Sequence, residues 1–181
     1  MYTSEEKILH FIFIAFQGMK RKKENIDLFF HSVMVGNMLK NINSSEVIVN
    51  TGYLHDIIED TSYTYEDIAN KFGKQLADNV SKLSEDKTIT NYKERKQEFI
   101  NRLKNYDSDL LLVELADKLQ NLVSDYELFS KQGKESLPTE GKNYSQIKWF
   151  YTSLKDLFNE KLNNNTLLER YNNIYEEYFK D

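Results

Sequence analysis

Apolar residues recur with helical rather than strand spacing along nearly the whole chain. Thr3 followed by Glu6 reads as a capping box, and Ile8, Leu9, Phe11, Ile12, Phe13 and Phe16 predict a first helix with a wide, deeply buried face, ending near Gly18. The run from Met19 to Asn25 has no apolar period and predicts a basic connector. A second helix follows over about residues 27–41, with Leu28, His31, Val35 and Met38 on one face. Ser44 or Ser45 caps a third, in which Val47, Ile48, Thr51 and Leu54 lead on to His55, Asp56, Ile57, Ile58, Glu59 and Asp60. Acidic residues at a helix carboxyl end oppose the helix dipole, so this cluster is costly unless a cation compensates it.

Further on, Thr64 and Asp67 suggest a cap for a short helix ending at Gly73, followed by another over about residues 75–83. The stretch from Ser84 to Thr90 reads as a loop, and a polar helix as covering about residues 91–105. Asp107 or Ser108 starts a long helix carrying Leu110, Leu111, Leu112, Leu115, Leu119 and Leu122, with Asp117 and Asn121 one turn apart. Gly133, Pro138 and Gly141 mark the clearest loop, and two tyrosine-rich helices finish the chain.

Composition supports this pattern. One proline and six glycines leave few breakers, so the expected class is all-α, and 181 residues fit a single domain over 1–181. Hydrophobic residues at 40% and charged ones at 29% are globular values, which removes disorder from consideration. Cysteine is absent, so any metal must be held by nitrogen and oxygen. Near the amino terminus, Ile8 to Phe16 are apolar apart from His10, but acidic residues precede them and the stretch is too short to span a bilayer. A cytoplasmic protein with no membrane partner is expected. Net charge −5 argues against a nucleic-acid partner and leaves a small phosphorylated molecule that a local basic cluster could meet.

Four ionisable residues pose a burial problem. His31 sits on an apolar stripe, His55 and Asp56 end a hydrophobic helix, and Asp117 interrupts a leucine-rich one. Buried charges need partners, and one divalent cation held by two imidazoles and two carboxylates would satisfy all four; Mn, Fe and Zn suit such donors. Singly, each has a plainer explanation: a hydrogen-bonded core histidine, which is the reading for His10, or a surface ion pair between Asp117 and Lys118. Glu59 and Asp60 follow His55 and Asp56 by four residues, one turn along the same rows, where carboxylates can orient or deprotonate an attacking water. Arg21, Lys22 and Lys23 could grip phosphates, and Asn121 could hydrogen-bond a base or ribose.

The order H, then HD, then D resembles the HD phosphohydrolase superfamily. GYLHDIIEDT, residues 52–61, resembles the HDxxED segment of RelA/SpoT-type guanosine tetraphosphate hydrolases, and ELADKLQNL, residues 114–122, their LADxxxN segment. The later KWFYTSLKDL is similar to a helix near the end of the small stand-alone alarmone hydrolases, of the metazoan SpoT-homologue kind. The resemblance implies His31, His55, Asp56 and Asp117 as manganese ligands, with Fe, Zn, Mg or Co as substitutes, and Glu59 and Asp60 handling the attacking water. It implies Arg21 and Lys22 as the family's phosphate-binding pair, and Asn121 as its nucleotide contact. The implied reaction removes the 3′-diphosphate of ppGpp or pppGpp as pyrophosphate, leaving GDP or GTP.

Two stretches depart from the family pattern. Glu24 to Ser32 lacks the usual Gly-x-Pro-Tyr run and the proline after the first histidine, and Phe16-Gln17-Gly18-Met19 stands in place of His-x-Gly-Gln. These departures keep two alternatives open: an HD phosphatase of another nucleotide, such as the 2′-phosphate of NADPH or a deoxynucleoside monophosphate, and a non-catalytic nucleotide-sensing module.

Overall fold

The computed structural model describes residues 2–21, 25–133 and 144–180. It divides into two compact units, one ending at Ser84 and the other beginning at Glu85. Both are helical. Among the described residues the only β pairing is an isolated bridge between Lys20 and Asp27, and no helix is long and apolar enough to cross a membrane.

The first unit contains α1 (Ser4–Ala15), α2 (Leu28–Asn41), α3 (Glu46–Leu54), α4 (Ile57–Asp60), α5 (Tyr65–Phe72) and α6 (Lys74–Leu83). The expected capping box starts α1: the Thr3 N–H donates to Glu6 Oε2 at 2.7 Å and the Glu6 N–H to Thr3 Oγ1 at 3.2 Å. A second box, Thr64 with Asp67, starts α5, and Gly73 joins α5 to α6 at φ 95°, a conformation that a β-carbon would strain. Ile8, Phe11, Ile12 and Phe16 of the first apolar stretch are buried, but Phe13 is 56% exposed, so that face is narrower than its composition implies. His10 is exposed as well, stacked on Tyr2, and is no core residue.

The helix pair α2/α3 is set by two glycines. A β-carbon at Gly36 would lie 2.2 Å from the Tyr53 ring, and one at Gly52 would lie 2.5 Å from Leu39 Cδ1 and 3.2 Å from Gly36 Cα. Close approach of the backbones is therefore built in, and His31 of α2 and His55 at the end of α3 meet along this pair. Tyr53 cannot easily yield, because it is fully buried and its hydroxyl lies 2.9 Å from both Glu5 Oε1 and Asn37 Oδ1. Alanine at position 36 gains about 1 kcal/mol of helix propensity but meets an overpacking cost of about 1–3 kcal/mol or more. Gly36→Ala is expected to lower the melting temperature by several degrees; an unchanged melting curve would show that α2 and α3 can separate.

The second unit contains α7 (Tyr92–Leu103), α8 (Ser108–Gln132), α9 (Tyr144–Lys161) and α10 (Thr166–Tyr178). Asp107 caps α8, its Oδ1 accepting from the Leu110 N–H at 2.9 Å. Leu110, Leu111, Val113, Leu115, Ala116, Leu119 and Leu122 of α8 are buried, and so are Glu114, Asp117, Gln120 and Ser124. A helix buried this widely lies at the centre of its unit, with α9 and α10 packed on it. Phe150 and Tyr151 of α9 are core residues.

Candidate metal centre

The expected continuous helix through His55 and Asp56 is broken. α3 stops at Leu54, and Asp56 takes φ −89°, ψ −4° before α4 begins. In an unbroken helix, neighbouring residues point about 100° apart. In this turn they point together: His55 Nε2 lies 3.2 Å from Asp56 Oδ2. The imidazole itself supports the break, since its Nδ1–H donates at 2.8 Å to the Gly52 carbonyl, the acceptor that a continuing helix would offer to the Asp56 N–H.

From α2, His31 brings its Nε2 to 3.1 Å from His55 Nε2 and 3.4 Å from Asp56 Oδ2. Both imidazoles are buried, whereas the Asp56 side chain is 20% exposed. Burial pushes the Asp56 carboxyl up, but the imidazoles of His55 and His31, when protonated, outweigh it and hold the group well below the usual carboxylate range. Because His55 Nδ1 donates to a carbonyl, its neutral ring presents a bare Nε2 to this cluster. Arg21 can only donate, so at 3.3 Å from its guanidinium His31 Nδ1 accepts, and the His31 Nε2–H points at His55. For His31 Nε2 to hold a cation, its proton would have to pass to Nδ1, and Arg21 would then give up its contact with that atom.

These donors fit a divalent ion. With metal–ligand distances of about 2.1 Å, adjacent ligand atoms stand about 3.0–3.4 Å apart in octahedral or tetrahedral sites. The three separations in this cluster fall on that range. Two imidazoles and a carboxylate, without sulfur, suit a borderline or hard divalent cation.

Asp117 lies in the second unit, where α8 supplies partners for both of its oxygens. Lys118 Nζ donates to Oδ2 at 2.6 Å and the Asn121 side-chain amide to Oδ1 at 2.6 Å. The Asp117–Lys118 pair is buried, with side chains 8% and 13% exposed, which corrects the surface-pair reading. Lys118 also lies 3.3 Å from Glu114 Oε1, while Glu85 is paired with Arg95 and Lys96. Glu85, Lys96 and Glu114 are not singled out by the sequence, where the available signal is Glu114 and Lys118, four apart inside the leucine-rich run.

Glu85, Glu114 and Asp117 share this region with Arg95, Lys96 and Lys118, and of the three carboxylates the Glu114 side chain is the most buried. Burial pushes the Glu114 carboxyl up to about 7, with Asp117 and Glu85 adding to the effect while Lys118 and Lys96 oppose it; Tyr171 of α10 also faces it. A raised pKa means that folded protein keeps a proton which unfolded chain releases. Stability from Glu114 is thus full below about pH 4.5 and is lost as pH rises through about 7. Glu114→Gln is expected to melt increasingly above the parent protein between pH 5 and pH 8. A constant difference across that range would contradict the shift.

Glu59 and Asp60 occupy α4, and the Asp60 N–H donates to the Asp56 carbonyl at 2.9 Å, so the one-turn register with Asp56 survives the helix break. Arg21 sits at the edge of the imidazole cluster, in a short bridged turn where its N–H meets the Ile26 carbonyl at 2.8 Å and Asn25 takes φ 53°. Lys22 and Lys23 lie outside the described residues. Asn121, expected to touch nucleotide, holds Asp117.

A family model described as HD domain matches residues 10–141, most of the chain and both histidine-bearing segments. The chain belongs to the HD-domain family. Among HD-domain relatives, a GTP pyrophosphokinase of Myxococcus xanthus is 31% identical over 155 residues, covering 78% of this chain and 20% of that one. The guanosine-3′,5′-bis(diphosphate) 3′-pyrophosphohydrolase MESH1 of Mus musculus is 36% identical over 76 residues, 42% of each chain. This chain therefore spans less than half the length of these curated relatives. A solved structure, described as a metazoan orthologue of SpoT that hydrolyses ppGpp and plays a role in starvation responses, superposes with TM-score 0.79 at 22% identity, covering 99% of this chain and 97% of that one. The likeness establishes a shared fold along essentially the whole chain.

Proposed function

We propose that this chain is a metal-dependent phosphohydrolase that removes the 3′-diphosphate of ppGpp or pppGpp as pyrophosphate, leaving GDP or GTP. The observation that carries this reading is the convergence of His31 Nε2, His55 Nε2 and Asp56 Oδ2 at 3.1–3.4 Å. The reading takes residues 1–181 as one HD phosphohydrolase domain, supported by a family match that runs through both units. It takes Asp117 as the fourth ligand, on the strength of the ELADKLQNL motif, and manganese as the ion, in keeping with nitrogen and oxygen donors.

When bound, the cation lowers the pKa of a water and offsets charge on phosphate oxygens. Glu59 and Asp60 orient the attacking water and take its proton as the bond between the 3′-linked phosphorus and the ribose oxygen breaks, that oxygen leaving as the protonated 3′-hydroxyl of GDP or GTP. Arg21, beside His31, and Lys22 hold the phosphates by charge-assisted hydrogen bonds. Asn121 seats the nucleoside while supporting Asp117. The enzyme acts in the cytoplasm on a small nucleotide, with neither nucleic acid nor membrane as partner; net charge −5 agrees with that.

A substrate panel tests the reading. Purified protein with Mn2+ is expected to turn over ppGpp at least tenfold faster, by kcat/KM, than NADPH or any deoxynucleoside monophosphate. Preferred release of orthophosphate from NADPH or a deoxynucleotide would replace the substrate but leave the metal chemistry standing.

A further inference from the structure

Lys118 follows Asp117 directly, so on a regular helix its side chain leaves about 100° away from that of Asp117. Its Nζ nevertheless comes round to 2.6 Å from Asp117 Oδ2. Glu114, one turn back on α8 and itself buried, accounts for the direction: its Oε1 stands 3.3 Å from the same ammonium. Burying an ammonium costs several kcal/mol unless carboxylates compensate it. Here Asp117 does so first, with Glu114, whose carboxyl is only partly ionised near neutral pH, and Glu85 adding less, and Lys118 stays charged against the pull of burial. Asn121 holds the opposite oxygen, Oδ1, at 2.6 Å. The Asp117 carboxylate is thus gripped at both oxygens by residues of its own helix.

We propose that Lys118, anchored by Glu114, is a positioning residue that fixes the orientation of the Asp117 carboxylate for metal binding. This rests on Asp117 being a ligand. The two possible roles of a lysine beside a metal ligand have opposite signs. A bystander cation repels an incoming divalent ion, so removing it strengthens metal binding. A cation that orients the ligand helps binding, and losing such an outer contact weakens affinity about 10–100-fold.

The test is calorimetric titration of Mn2+ into parent protein, Lys118→Met, Lys118→Arg and Asp117→Asn, with folding checked by circular dichroism. The expected result is about 10–100-fold weaker Mn2+ binding for Lys118→Met, recovery to within about threefold of the parent for Lys118→Arg, and restoration of Lys118→Met turnover by excess Mn2+ with an unchanged nucleotide KM. If Lys118→Met does not fold, the charge-balanced Lys118→Met/Glu114→Met pair is titrated instead, with the same expected loss. Mn2+ binding as tight as in the parent, or tighter, overturns the positioning role. Should Asp117→Asn also bind Mn2+ like the parent, the ligand assignment beneath the proposal fails instead.

Discussion

Asp56→Ala is expected to abolish measurable Mn2+ binding and to lower ppGpp hydrolysis by at least about 1,000-fold. Asp56 supplies the carboxylate of the cluster in the first unit, 3.2 and 3.4 Å from the two imidazole Nε2 atoms. Two neutral imidazoles without that negative charge hold a divalent ion weakly, and loss of the ion removes both water activation and charge stabilisation. A thousandfold corresponds to about 4 kcal/mol of transition-state stabilisation, a modest demand on an ion with both roles. The side chain is partly exposed and packs on polar groups, so the fold should survive the substitution. Asp56→Asn, which keeps shape and loses charge, should behave nearly as badly. Mn2+ affinity within threefold of the parent in either variant would remove Asp56 from the ligand set.

Glu59→Gln separates the acid–base role from metal binding. The glutamate stands in the short α4, four residues after His55, and general base catalysis is worth about 10²–10⁴-fold. The expected result is a fall in kcat of that size, with Mn2+ affinity and the KM for ppGpp close to those of the parent. Loss of metal affinity instead would make Glu59 a ligand; unchanged kcat would pass the proton role to Asp60 alone. Glu59→Gln and Asp56→Ala therefore divide the site into a part that holds the ion and a part that handles the water.

Most helix starts were legible because capping chemistry is local. Thr3 with Glu6, Thr64 with Asp67, and Asp107 each bond backbone N–H groups within three residues, so the relevant geometry is written in adjacent letters. Ser45 is an exception: it occupies the cap position of α3 without a capping side-chain bond. The break at His55 was not legible, because Ile57 and Ile58 continue the apolar pattern and nothing in the sequence announces that an imidazole will claim the Gly52 carbonyl. The exposure of His10 and Phe13 was equally hidden, since residue type alone cannot tell which side of a largely apolar helix remains uncovered.

In the candidate site, His31, His55 and Asp56 stand out as candidates because ionisable residues interrupt apolar runs in an order shared with a known family. The support around Asp117 was harder to see. Lys118 and Glu114 looked like ordinary helix-surface charges, and only the burial of α8 turns them into a paired interior cluster. The motif implies a nucleotide contact for Asn121, and in the folded chain its amide also donates to the carboxylate one turn back, which the motif does not announce.

Hydrolysis of ppGpp in ¹⁸O-labelled water, with Mn2+ and with EDTA, tests the central claim most directly. Attack of water on the 3′-linked phosphorus breaks its bond to the ribose oxygen, so the label must appear in the released pyrophosphate, with unlabelled GDP as the other product and no turnover in EDTA. Absence of pyrophosphate, label in GDP, or equal turnover in EDTA would contradict it.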